Sequence, residues 1–158
     1  MFHIAEVRTD SAELAALVAE LDAFMAPLYP AESNHCIDLA AIGDDHLRCL
    51  MVRDEQGHPA GCGAVYLQGE EAGEVKRVYI RPAYRGKKLG EKIIAYLEAL
   101  ARDAGCSVLR LETGIHQQPA ITLYQRCGYQ FCPPFPPYTE DPLSVFMVKQ
   151  IGDGAARS

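Results

Sequence analysis

Residues 74–104 of this chain read EVKRVYIRPAYRGKKLGEKIIAYLEALARDA, and they decide the fold. The first seven, Glu74–Ile80, are rich in β-branched and aromatic side chains, which predicts a strand. From Gly90 to Ala104 the apolar side chains recur at helical spacing, and Gly105 is placed to end that helix. The connection between them contains glycines and several basic residues. The stretch therefore predicts a strand, a glycine-containing loop and a helix in direct succession.

The basic charge of this stretch is local. Residues 76–92 carry a net charge of +6, whereas the whole chain carries −6. Because an acidic chain repels nucleic acid at long range, we expect no nucleic-acid partner. Loop N–H groups and a helix N-terminus form an anion site, so the patch predicts a compact anionic ligand. The loop matches neither the Walker A motif nor G-x-G-x-x-G, and a solvated basic turn is the alternative.

Outward from this stretch, the patterns predict further strands and helices. Residues 2–7, 46–53, 60–68, 107–113, 129–132 and 144–149 read as strands. Asp10 and Glu13 are placed as the capping box of a first helix that Pro27 and Pro30 end. Ser33 or Asn34 is a possible cap for a short second helix, and Pro119–Arg126 predicts another. This order predicts an α/β fold whose mixed sheet has helices on both faces.

Length and composition predict one domain over residues 1–150 and a disordered tail over residues 151–158. No apolar run reaches the roughly 18 residues that span a bilayer, and Met1–Asp10 lacks a signal-peptide pattern. We therefore expect a cytoplasmic protein with no membrane partner. The six cysteines show no zinc-ligand spacing, so we expect reduced thiols and no metal.

Two segments carry a resemblance to a known family. Val78-Tyr79-Ile80-Arg81-Pro82-Ala83-Tyr84-Arg85-Gly86-Lys87-Lys88-Leu89-Gly90 resembles the strand and pyrophosphate loop [QR]-x-x-G-x-[GA] of the GCN5-related N-acetyltransferase (GNAT) superfamily. Leu123-Tyr124-Gln125-Arg126-Cys127-Gly128-Tyr129 is similar to its LYxxxGF segment. The resemblance implies a mostly antiparallel sheet of about seven strands, with acetyl-CoA as cosubstrate. Residues 29–35, 111–119 and 134–147 look like a subgroup of small bacterial acetyltransferases whose acceptors are not established.

The resemblance also implies which residues hold the donor. Val78, Tyr79 and Ile80 would lie along the pantetheine arm, with the backbones of Val78 and Ile80 pairing with it, and Gln117 would contact the same arm. The pyrophosphate would be held by the loop residues Arg85, Gly86, Lys87, Lys88, Leu89 and Gly90. Lys88 departs from the motif, which has a glycine at this position.

Acetyl transfer to an amine needs a base and an acid. The resemblance implies Glu74 as one candidate base, because it lies eleven residues before Arg85, the spacing at which some family members carry a catalytic glutamate. Its structural alternative is a strand-end glutamate paired with Lys76 on the same strand face. Glu112 is a second candidate, as base or as binder of the acceptor ammonium, and a strand-end carboxylate is its structural alternative. The resemblance places Tyr124 beside the CoA sulfur as general acid, with a core tyrosine as the alternative.

Weaker candidates for the acceptor site are His35, His116 and Tyr138, with Asp141 in the same proline-rich loop as Tyr138. The leading interpretation is an N-acetyltransferase that acts on a primary amine of a small molecule by direct attack in a ternary complex. Two alternatives stay open: acetylation of a protein lysine or N-terminal amine, and a non-catalytic acyl-CoA sensor. Family members often form homodimers, and the sequence leaves that possibility undecided.

Overall fold

A computed structural model describes residues 2–25, 27, 46–67, 71–135 and 139–152. Within them, seven strands form one sheet in the order β1-β2-β3-β4-β5-β7-β6, and the β4–β5 pair is parallel whereas the other pairs are antiparallel. The strands are β1 (His3–Val7), β2 (Leu47–Arg53), β3 (Pro59–Leu67), β4 (Ala72–Ile80), β5 (Val108–Gly114), β6 (Gln130–Cys132) and β7 (Ser144–Gln150). The helices are α1 (Ala12–Met25), α2 (Leu89–Asp103) and α3 (Gln118–Arg126). The predicted α/β class and the mixed, mostly antiparallel sheet are confirmed.

The sheet separates two apolar clusters, and β2 shows why. Because side chains alternate along a strand, Leu50 and Val52 face one way while Cys49 and Met51 face the other. The first pair belongs to the cluster that contains α2 and Tyr124 of α3. The second pair packs with Leu14 and Leu17 of α1. Helices therefore cover both faces of the sheet, as the sequence predicts.

The start of α1 differs from the prediction. The hydroxyl of Ser11, not the carboxylate of Asp10, accepts the hydrogen bond of a free helix amide, from Leu14 N at 3.2 Å. Asp10 pairs with Arg8 and Glu13 with Arg53, so neither makes the predicted capping box. A serine one residue later caps equally well, which explains the one-residue shift. The predicted second helix, with Ser33 or Asn34 as its cap, lies outside the described residues.

The carboxyl end of β7 continues into the packed domain. Ile151, which the sequence assigns to the tail, is buried, and its N–H donates to the carbonyl of Ser107 at 2.9 Å. Its own carbonyl accepts a hydrogen bond from Arg102 Nε at 2.7 Å. Residues 151 and 152 therefore belong with the domain, and residues 153–158 lie outside the described part.

The cysteines that the structure describes, Cys49, Cys62, Cys106, Cys127 and Cys132, are all free thiols. In the described part of the chain, no helix is long and apolar enough to cross a membrane.

Candidate functional site

Strands β4 and β5 separate partway along their length. They pair from Ala72 opposite Val108 to Val75 opposite Leu111, and the pairing stops there. Beyond that point β4 stays paired with β3 as far as Ile80, and β5 stays paired with β7 as far as Gly114. The facing edges of the two strands, residues 76–80 and 112–114, therefore border an open gap in the middle of the sheet.

A bulge in β4 lies where the gap begins. Ala64 pairs with Lys76 and Cys62 with Tyr79, so β4 has one residue more than β3 over this interval. Arg77 is one of the two β4 residues in this interval. Its φ is 59°, a left-handed conformation that is uncommon outside glycine. The Arg77 guanidinium is ion-paired with Asp22 of α1, and its carbonyl accepts the Cys62 thiol. Because a bulge bends a strand, it accounts for the divergence of β4 from β5.

The backbone of β4 beyond the bulge presents hydrogen-bonding groups to the gap. The N–H of Arg81 bonds to the carbonyl of Ala60 on β3 at 2.9 Å. Since successive residues of a strand point their N–H and C=O groups to opposite sides, those of Ile80 and Val78 point away from β3. This is the side on which the gap lies. The backbone groups of Val78 and Ile80 therefore point to the side on which the predicted pairing with an extended ligand would form.

The loop between β4 and α2 leaves several amides unpaired. A short 3₁₀ helix, Pro82–Tyr84, is followed by Gly86 at φ 84° and by Lys88 at φ 62° and ψ 25°, the residue that precedes α2. Within the described residues, the N–H groups of residues 86–88 have no backbone partner, and the first amides of α2 have none within the helix. Lys88, which stands where the family motif has glycine, adopts a left-handed conformation that glycine reaches more easily than other residues.

The basic stretch divides into two groups by partner. Lys76 is paired with Glu74, Arg77 with Asp22 and Arg81 with Glu20. A carboxylate therefore neutralises the charge of each of these three basic residues, which lie on β4 or directly after it. Within the described residues, Lys87, Lys88 and Lys92 form no ion pair, and they lie at the N-terminus of α2. The positive charge available to an anion is therefore concentrated where the unpaired amides are.

Tyr84 anchors this loop to the β2–β3 hairpin. Its hydroxyl donates to Asp54 Oδ2 at 2.7 Å, and its ring packs edge-on against Phe2 at 6.0 Å between centroids. Asp54 also accepts the amides of Gln56 and His58 in the hairpin turn. The Tyr84 hydrogen bond, followed by these amides, lowers the pKa of the Asp54 carboxyl to about 2. A single ionised carboxylate thus links the turn and the loop.

Two candidate catalytic groups, Tyr124 and Glu112, interact electrostatically. Tyr124 is buried in the α2-side cluster, with its ring 5.9 Å from that of Tyr129. Burial, then Cys127 and then the Glu112 carboxylate raise the pKa of Tyr124 well above its usual value. Glu112 lies on β5 just past the last paired residue and accepts the Ser144 hydroxyl at 2.6 Å. Burial therefore keeps the phenol protonated, and the charge of Glu112 adds to this effect.

Glu74 has a different environment. It is buried, it lies opposite Arg110 within the paired part of β4 and β5, and its carboxylate accepts Lys76 Nζ at 2.9 Å. This ion pair is the structural alternative that the sequence offered for Glu74. A carboxylate that is already paired with a lysine is less suited to take a proton.

Comparison with known proteins assigns this chain to a family. The profile described as the Acetyltransferase (GNAT) family matches residues 14–129, which is most of the chain. The chain belongs to this family. It is an N-acetyltransferase by that membership, as the resemblance of the β4–α2 loop and the 123–129 segment implies.

Individual relatives agree with the GNAT assignment. The chain is 43% identical over 136 residues to the IAA acetyltransferase of Azospirillum brasilense, covering 85% of this chain and 88% of that protein. It is 31% identical to YsnE of Bacillus subtilis (strain 168), an uncharacterised N-acetyltransferase, over 88% of this chain and 93% of that protein.

Solved structures share the fold. A Klebsiella pneumoniae subsp. pneumoniae MGH 78578 protein assigned as an acyl-CoA N-acyltransferase has a TM-score of 0.84 at 46% identity, covering 96% of this chain and 99% of that one. The acetyltransferase yncA of Salmonella typhimurium, solved with its cofactor acetyl-CoA, has a TM-score of 0.70 at 20% identity, covering 96% and 95%.

The remaining predicted donor residues of this GNAT chain are placed as follows. Gln117 precedes α3, and its N–H bonds to the carbonyl of Gly114 at the end of β5. A Cβ on Gly90 would lie 2.8 Å from Leu123 Cδ2, so this glycine serves the packing of α2 on α3. Arg85 is turned back toward the strand, where its Nε donates to the Ile80 carbonyl at 3.0 Å.

The remaining predicted acceptor residues are not all brought together. His116 is exposed, between β5 and α3. Asp141 stabilises a turn by accepting the amide of Leu143 at 2.9 Å, and it lines a cavity of about 270 Å³ beside β6 and β7. His35 and Tyr138 lie outside the described residues. No group of three His, Cys, Asp or Glu side chains in the described part could hold a metal ion.

The sequence analysis passes over Arg110, which lies on the same sheet face as Glu112. Its guanidinium carbon is 4.5 Å from the centroid of the Phe135 ring, and its Nε is buried without a hydrogen-bond partner. The signal was available in Leu109-Arg110-Leu111-Glu112, where charged and apolar residues alternate along one strand.

Proposed function

We propose that this protein transfers an acetyl group from acetyl-CoA to a primary amine of a small molecule, by direct attack in a ternary complex. The observation that carries the proposal is the gap between β4 and β5. It borders Val78 and Ile80 of β4, whose backbone is not paired with β5, and Glu112 of β5, whose charge acts on Tyr124.

The donor would extend from the loop to the gap. Unpaired amides of residues 86–90 with Lys87, Lys88 and Lys92 suit the negatively charged pyrophosphate. The pantetheine arm carries amide groups that can pair with Val78 and Ile80 as a neighbouring strand would. Arg85 Nε donates a hydrogen bond to the Ile80 carbonyl. When the pantetheine arm binds, this bond would have to break, or the carbonyl would accept from both donors. The acetyl-CoA that the Salmonella relative binds supports this ligand for the family.

The chemistry would then divide between two side chains. Glu112, which borders the gap, would hold the acceptor ammonium and take its proton, and the neutral amine would attack the thioester carbonyl. As the C–S bond breaks, the phenol of Tyr124 would donate a proton to the leaving sulfur. The second proton that the nitrogen loses would restore the phenol, and Glu112 would release the first proton to solvent. The raised pKa of Tyr124 keeps the phenol protonated, and the same burial that raises it also favours a neutral thiol over a thiolate. We assign the base role to Glu112 rather than to Glu74 because Glu74 is paired with Lys76.

A small acceptor is favoured by the relative with 43% identity, which is named for an activity on IAA rather than on a protein. On this basis the small-molecule interpretation is preferred to acetylation of a lysine or N-terminal amine.

The test combines two measurements on the purified protein. Calorimetry measures binding of acetyl-CoA, and release of free CoA thiol is followed over a panel of amines and lysine-containing peptides. We expect micromolar binding and turnover on at least one small amine. Binding without turnover on any acceptor would favour the sensor, turnover on peptides alone would favour the protein acetyltransferase, and absence of binding would remove the donor assignment.

A further inference from the structure

We propose that Arg110 binds a carboxylate of the acceptor, so that the substrates are amines that also carry a carboxylate group, of which amino acids are one class. This inference rests on the proposed function, because it concerns the acceptor side of the same site. The observation behind it is a cation on the sheet face beside Glu112 that has an aromatic neighbour and no anionic partner.

The pairing register places Arg110 in the interior of the sheet, on the face of β5 that also carries Glu112. Across the sheet it lies between Glu74 of β4 and Val148 of β7. Glu112 is two residues farther along β5, on the same face and toward the gap. Two residues of a strand span about 6.6 Å, so one small molecule can contact both side chains. Arg110 and Glu112 thus provide one positive and one negative group, at a separation that a small amino acid can span.

Both neighbouring carboxylates are engaged elsewhere. Glu74 accepts Lys76 Nζ at 2.9 Å, and Glu112 accepts Ser144 Oγ at 2.6 Å. Within the described residues no carboxylate lies within ion-pair distance of the Arg110 guanidinium, and its buried Nε has no hydrogen-bond partner. A buried donor without a partner is costly, because it has lost water without gaining a protein acceptor. A ligand carboxylate, which can accept two hydrogen bonds from one guanidinium, would supply the anionic partner that Arg110 lacks among the described residues.

Aromatic rings shape the surroundings of Arg110. The guanidinium lies over Phe135 at 4.5 Å, and Phe135 packs edge-on against Phe146 at 5.7 Å. Stacking on Phe135 holds the guanidinium plane in place, so its donors are already oriented before a ligand binds. Both rings are themselves buried, so they support Arg110 from the protein side.

The test compares matched acceptors that differ by one carboxylate, phenylalanine and 2-phenylethylamine. The proteins are the wild type, Arg110→Gln, Arg110→Lys and a control, Arg48→Gln, whose arginine pairs with Glu6 at the other end of the sheet. We expect wild-type kcat/KM to favour phenylalanine by about 10- to 100-fold. Arg110→Gln should remove that preference mainly through KM, should leave 2-phenylethylamine within about threefold, and should not change acetyl-CoA binding. Arg110→Lys should restore part of it.

Equal losses for both acceptors, or a wild-type preference for the amine without the carboxylate, would overturn the inference. Failure of the proposed function is recognised separately, as absence of turnover on every amine. In that case calorimetry with phenylacetate and with its neutral counterpart phenylacetamide decides the question. Binding of phenylacetate that is stronger than that of phenylacetamide, and that Arg110→Gln abolishes, supports the carboxylate site; equal or absent binding refutes it.

Discussion

Tyr124 provides the sharpest prediction at the scale of a single residue. Replacing it by phenylalanine removes the hydroxyl and keeps the ring that packs on Tyr129. If the phenol is the general acid, Tyr124→Phe lowers kcat about 100-fold or more and leaves the Kd for acetyl-CoA nearly unchanged. Steady-state kinetics and calorimetry measure the two quantities. An unchanged kcat would refute the acid role, and a change confined to stability would indicate a core tyrosine.

Lys88 gives a second residue-scale prediction, because its backbone and its charge can be separated. Alanine and glycine both remove the charge, but only glycine tolerates φ 62° without strain. We expect Lys88→Gly to unfold in denaturant with about 1 kcal/mol more stability than Lys88→Ala. Both should weaken acetyl-CoA binding by a similar factor, about 2- to 5-fold. Equal stabilities would mean that position 88 is not held in the left-handed conformation.

At the scale of elements, Asp54 and Tyr84 join the β2–β3 hairpin to the loop that precedes α2, and the link depends on pH. The Asp54 pKa is lowered to about 2 in the folded protein, against an ordinary value of 3.8. A lowered carboxyl pKa stabilises the fold above the ordinary value and is lost as pH falls toward 2. We would measure the melting temperature from pH 6 to pH 2.5. The Tm of Asp54→Asn should lie below that of the wild type at pH 6, and the difference in Tm should shrink below about pH 4. A constant difference would contradict this.

Also at this scale, the sequence predicts nearly every described element and misses the feature that opens the site. The pattern of β2, for example, identifies a two-sided strand because alternation is a local property. The bulge at Arg77 is not local: its left-handed residue is arginine, not glycine, and its partners Asp22 and Cys62 lie on α1 and β3. Contacts between elements distant in sequence decide it, so no window of residues 74–80 reveals it.

At the scale of the whole molecule, the proposed site lies where the sheet divides. Strands β1–β4 form one antiparallel unit and β5, β7 and β6 another, joined by four parallel pairs and by α2. The motifs of the family locate the donor residues of the first unit, because a backbone loop follows from its own sequence. Arg110 and Phe135 come together only once β5 and the segment after β6 are placed side by side. The acceptor site was therefore the less predictable half.

The last whole-molecule prediction concerns where the domain ends. Ile151 is buried, and the N–H groups of Ile151 and Gly152 both bond to the Ser107 carbonyl at 2.9 Å, which ties the end of β7 to the start of β5. Burial of an isoleucine contributes roughly 2 kcal/mol, and each hydrogen bond about 1 kcal/mol. A chain that ends at Gln150 should thus be about 4 kcal/mol less stable to denaturant than one that ends at Gly152. Gly152→Ala tests the same contact without truncation, since its Cβ would lie 2.6 Å from Ser107 Cα. If both variants matched their references in stability, the domain would end at residue 150, as its sequence pattern predicts.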